Sequence, residues 1–96
     1  MITDRSIVVA AEGQVTSELA GETAILNVQS GVYYGLDPIG ALIWNQLQMP
    51  RAVSDIQNVI TTEYDVEPER CARDLVALLE KLLAEGLIEV KESSAG

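Results

Sequence analysis

"GVYYGLDPIGALIWNQL", Gly31 to Leu47, changes period half-way along. Val32, Tyr34 and Leu36 alternate with Tyr33, the two-residue repeat of a strand whose side chains point to opposite faces. From Ile39 the apolar residues recur as Ile39, Leu42, Ile43 and Leu47, at the i, i+3, i+4, i+8 spacing of a helix with one buried face. Between the two patterns stand Asp37, a favourable N-cap, and Pro38, whose missing N–H costs nothing at a first helical position. A strand therefore runs directly into a helix that ends near Gln48 and carries the only tryptophan, Trp44, beside its stripe. Gly35 inside the strand predicts a bulge or the close approach of another backbone.

Upstream, "ETAILNV" (Glu22–Val28) reads as a second strand. "QSG" (Gln29–Gly31) is the hairpin turn joining it to the first, with Gly31 free to take positive φ. "QVTSEL" (Gln14–Leu19) alternates Val15, Ser17 and Leu19 against Thr16 and Glu18, and "SIVVA" (Ser6–Ala10) is a short β-rich run. Downstream, "MPR" breaks the first helix. A second helix covers about Val53 to Glu63 with Ile56, Val59 and Ile60 inward. After "YDVEPE" a third runs from about Pro68 to Glu85, and Gly86 is its expected C′ residue. "LIEV" (Leu87–Val90) is a short extended segment, and "KESSAG" (Lys91–Gly96) is a polar tail expected to fray. The whole chain, residues 1–96, reads as one domain of the α+β class, with a three-stranded antiparallel sheet and a three-helix, winged-helix-like bundle.

Composition narrows the chemistry. Fifteen acidic residues face six basic ones, for a net charge of −9. The basic residues are scattered, so a phosphate backbone or an anionic membrane surface is a poor partner, whereas a neutral or basic peptide suits the field. There is no histidine, hence no imidazole base or metal ligand. The single cysteine, Cys71, can form neither an internal disulfide nor a thiolate cluster, and its spacing is that of a core residue. No phosphate-cradling glycine loop occurs. The acidic pairs Glu67/Glu69 and Asp55/Glu63 sit at helix starts or on solvated faces, where negative charge is favourable in its own right. The expectation is a protein that is not an enzyme and uses no metal or cofactor. No apolar run reaches the length of a membrane span, and the N-terminus lacks the pattern of a signal peptide, which predicts a cytoplasmic location.

What remains is binding. At 100° per residue, Cys71, Leu75, Leu78 and Leu82 form one row of the third helix, and Ala72, Val76, Leu79 and Leu83 form another beside it. Together they span roughly 160°, wider than the ~100° stripe that packs on a single core. Either the helix is central and touched by core on several sides, or one margin is left for a ligand. The Val32–Leu36 strand, if it lies at a sheet edge, offers unpaired N–H and C=O groups to which an extended peptide can add. Tyr33 and Tyr34 bring stiff contact area, and period two does not decide which of them faces a ligand.

The run "GETAILNVQSGVYYGLDPIGALIWNQL", followed by "VSDIQNVI" and "CARDLVALLEKLLAEGLIEV", resembles the PqqD-like proteins, the RiPP recognition elements that bind leader peptides of ribosomally made natural products. The resemblance spans about Glu22 to Val90; within the family it points to the stand-alone proteins of lasso peptide pathways. It implies that the leader docks as an added strand beside Val32, Tyr33, Tyr34, Gly35 and Leu36, against Cys71, Asp74, Leu75, Leu78 and Leu82 of the third helix. In the lasso branch the leader typically presents a tyrosine and a proline to an apolar pocket. The implied partners are the precursor leader peptide, a separate cysteine leader peptidase that removes the leader, and a cyclase, with the adaptor itself a monomer rather than a dimer. Ala52 departs from the pattern, standing where the family often has a Ser or Thr helix cap. The alternative reading is a winged-helix DNA-binding regulator, which would need a more basic third helix. A further one is a structural subunit that dimerises through its exposed edges.

Overall fold

The computed structural model describes residues 2–19 and 22–91. The elements run β1 (Ile7–Ala10), β2 (Gln14–Leu19), β3 (Glu22–Asn27), β4 (Val32–Leu36), α1 (Pro38–Gln46), β5 (Arg51–Ala52), α2 (Val53–Glu63), α3 (Pro68–Ala84) and β6 (Ile88–Lys91). The α+β class expected from sequence is the one that forms. Beside the expected three-stranded antiparallel sheet, β2-β3-β4, stands a second, ordered β5-β1-β6. Of the tail expected to fray, Lys91 belongs to β6, where it pairs with Ile7; the rest lies outside the described residues.

The β3–β4 hairpin is fixed by its own turn. Gly31 takes φ 73° and donates its N–H to the Asn27 carbonyl at 2.8 Å. The Asn27 side-chain oxygen accepts from Gln29 and Ser30, so the turn begins one residue earlier than the sequence suggested. The Asp37 carboxylate caps α1 by accepting from the Gly40 N–H at 2.7 Å, with Pro38 in the first turn. Gly40 fits closely here: a Cβ would stand 3.2 Å from the Asp37 Oδ1 and 3.3 Å from Leu36, so those side chains would have to give by a few tenths of an ångström. At the other end of α3, Gly86 adopts φ 74°. Its N–H reaches the Leu83 carbonyl and that of Leu87 reaches Leu82, a Schellman closure whose flanking Leu82 and Leu87 are both buried.

Ala52 caps nothing with its side chain. The N–H groups of Val53 and Ser54 instead donate to the carbonyls of Ser6 and Asp4, each at 3.0 Å. The backbone ahead of β1 thus does the work of the missing hydroxyl.

The core joins both sheets to all three helices through Val8, Ile25, Leu47, Ile56, Leu79 and Leu87, each fully buried. Trp44 is buried against it and donates its indole N–H to the Thr16 hydroxyl at 3.0 Å, tying α1 to β2. Asn27 and Gln14 donate side-chain N–H bonds to the Glu85 and Gly86 carbonyls, which fixes the β2-β3-β4 sheet against the end of α3. Among the described residues no helix is long and apolar enough to cross a membrane.

Candidate functional site

Each sheet has two edges. β5 is only two residues long. β6, Ile-Glu-Val-Lys, carries two charges. β2 carries Glu18 and contributes nothing to the cleft described below. β4, Val-Tyr-Tyr-Gly-Leu, carries no charge and among the described residues pairs only with β3, in continuous antiparallel register from Val32↔Asn27 to Leu36↔Thr23. In such a strand alternate residues bond the neighbour and the others direct N–H and C=O outward. The register runs without a bulge through Gly35, and a Cβ there would meet open space. The glycine thus leaves the strand regular, with a clear surface beside it.

Between the end of β4, the start of α1 and the first half of α3 lies a cleft of about 580 Å³. Its floor is apolar: Leu36, Ile43, Ile60, Cys71 and Leu75, with Ile39, Val66 and Leu78 higher on the walls. Cys71 is buried, and its thiol pKa is raised by that burial and, to a smaller extent, by the Asp74 carboxylate.

The residues singled out from sequence divide by position. Gly35, Leu36, Cys71, Asp74, Leu75 and Leu78 all line the cleft. Val32 (41% exposed) and Tyr33 (65% exposed) do not. Register places Tyr33 beside Leu26 and Val15 on the outer face of the sheet, whereas Tyr34 sits beside Ile25 on the face that packs inward. The Tyr34 ring lies under Lys81 of α3, 5.5 Å from Nζ to centroid. Its phenol pKa is raised by partial burial, and further by a hydrogen bond to, and the charge of, Glu85. Tyr34 therefore stands where β4 meets the second half of α3, and like Val32 and Tyr33 it does not line the cleft. Leu82, 1% exposed, is core and does not reach it.

The breadth of the α3 stripe resolves into a seam and margins. Cys71, Leu75, Leu79 and Leu82 are the buried seam. Leu78, on the margin facing β4, is only partly covered. As cleft residues, sequence reasoning missed the apolar Ile39, Ile43, Ile60 and Val66. Val66 had a signal, since it stands alone among charged residues in the α2–α3 connection. Among the described residues no group of carboxylates and thiols is placed to hold a metal ion.

The model of the family described as coenzyme PQQ synthesis protein D matches residues 22–88. The chain belongs to the PqqD family. Two solved structures share this PqqD fold along nearly their whole length. One, TbiB1 in complex with the TbiA(beta) leader peptide, is 31% identical with a TM-score of 0.76, over 84% of this chain and 94% of that one. The other, a lasso peptide synthetase B1 complexed with the leader peptide, is 26% identical with a TM-score of 0.76, over 85% and 96%. No protein with a curated description matches the sequence.

Proposed function

We propose that this chain is a non-catalytic adaptor that binds the leader segment of a ribosomally made precursor peptide. The leader adds as a fourth strand to the open edge of β4 and lays the side chains of one face against α3. Main-chain bonds to Val32–Leu36 supply affinity of about 1 kcal/mol each, and the cleft supplies selectivity. The observation that carries this reading is the conjunction of an uncharged, unpaired strand edge with an apolar-floored cleft lined by that same strand and by α3. The two related structures, each a complex with a leader peptide, support it. The contacting residues in this reading are Val32, Tyr34, Gly35 and Leu36 on the strand and Cys71, Asp74, Leu75 and Leu78 on the helix. Tyr33 meets the ligand only as a cross-strand neighbour on the outer face. The adaptor presents the bound precursor to a separate leader peptidase in the cytoplasm, with a cyclase acting afterwards.

Isothermal titration of the full chain with leaders of small precursors encoded beside its gene tests the binding step. One-to-one binding is expected, lost in Leu78→Asp while the fold is retained. Unaltered affinity in that variant would remove the cleft from the reading. Adding purified peptidase tests the second step: leader removal should be faster with the adaptor present.

A further inference from the structure

The cleft is apolar below and acidic above. Its rim carries Asp37, Asp65, Glu67 and Asp74, all exposed, against one cation, Arg70. Arg70 does not balance them, because its Nε stands 3.9 Å from Asp74 with both side chains about three-quarters exposed. Such a pair is worth little and is readily rearranged. The nearby cation of α3, Lys81, is not among the cleft-lining residues and lies over the Tyr34 ring instead, 5.5 Å from Nζ to centroid. Negative potential is thus concentrated at the corner where α2 turns into α3, directly above the apolar floor, in a chain whose overall charge of −9 reinforces it. The Asp74 charge reaches that floor, since it contributes to raising the Cys71 thiol.

From this arrangement we infer that the cleft selects a peptide segment in which a lysine or arginine stands within about two residues of the buried apolar side chain, its cation over the Asp65–Glu67–Asp74 rim. The inference rests on the peptide-binding reading above and adds a charge requirement to it. An extended strand places every second side chain about 7 Å along the same face, within reach of a lysine stem. A peptide with a carboxylate at that position meets repulsion and is rejected.

The test needs no knowledge of the natural precursor. A display library of random peptides long enough to span β4 and the cleft is panned against the full chain, and enriched sequences are synthesised. Enrichment of Lys or Arg beside a bulky apolar residue is expected. Such a peptide should bind the combined Asp65→Asn, Glu67→Gln, Asp74→Asn variant about fivefold more weakly at low salt. The difference should close near 0.5 M salt, roughly where screening removes it. Peptides that lose binding in Leu78→Asp yet show no cationic preference, or bind the neutralised variant equally at both salts, overturn the charge requirement and leave the adaptor reading intact. Peptides indifferent to Leu78→Asp overturn both.

Discussion

The two sheets have the same strand count and the same antiparallel pairing, yet their edges behave as opposites. In β5-β1-β6 the central strand is flanked by a two-residue strand on one side and by Ile-Glu-Val-Lys on the other. Short and charged edges resist further pairing. In β2-β3-β4 the edge nearest α3 is five residues of uncharged backbone beside an apolar trough. One sheet is finished within the molecule and serves the fold; the other is left open, and in the proposed reading that open edge is what a ligand uses. Stability and binding should therefore separate by sheet, and mutations can be ranked on that basis.

The largest effect is expected from the closed sheet. Ile88, 2% exposed at the start of β6, anchors it to the core. Ile88→Ala should cost about 2–5 kcal/mol of stability in chemical denaturation, with peptide affinity of the folded fraction unchanged. Lost affinity in fully folded Ile88→Ala would break the division. Next is Leu78→Asp, which should weaken leader binding by about tenfold or more, because a carboxylate replaces apolar wall, while the unfolding midpoint barely moves. A third comparison sharpens the picture within one strand. Tyr34→Ala should reduce affinity by about 1–2 kcal/mol, as it removes a ring held between β4 and α3. Tyr33→Ala should cost no more than about 0.5 kcal/mol, as a cross-strand neighbour alone.

Locality governs how much of this was readable beforehand. The β3–β4 hairpin follows from adjacent strands and a short turn, so alternation and Gly31 sufficed to find it, whereas the partner of the alternating Gln14–Leu19 strand was left open until the register paired it with β3. The helices were equally plain, since Asp37-Pro38, Pro68 and Gly86 mark their ends. The closed sheet was not readable as a sheet. Its strands at Ile7–Ala10 and Ile88–Lys91 each had a β-rich signature, but nothing local says that the two ends of the chain pair, and Arg51–Ala52 is too short to carry a pattern. The cap of α2 was invisible for the same reason, being made by the distant carbonyls of Asp4 and Ser6. At the site, period two separated Tyr33 from Tyr34 but could not say which face was inward; α1 and α3 decide that by covering one side. Leu78 and Leu82 likewise occupy one row of α3 in projection, and only packing makes Leu82 seam and Leu78 margin.

The smallest expected effect concerns pH. The Tyr34 phenol has its pKa raised, by partial burial first and then by Glu85, so the folded state prefers it neutral. Its contribution is fully present below the ordinary tyrosine range near ~10 and is lost as pH rises through the raised value. Stability should fall over that alkaline interval, and Tyr34→Phe should make the fall shallower in melts taken at successive pH values.

Amide hydrogen exchange on the full chain, with and without a saturating leader peptide, addresses the open edge itself. Slowing should appear at alternate amides of Val32–Leu36 and be absent from the Gln14–Leu19 and Ile88–Lys91 edges. If the peptide binds at saturation but β4 exchanges as before, or the protection gained falls on β2 or β6, then β4 is not where the leader docks.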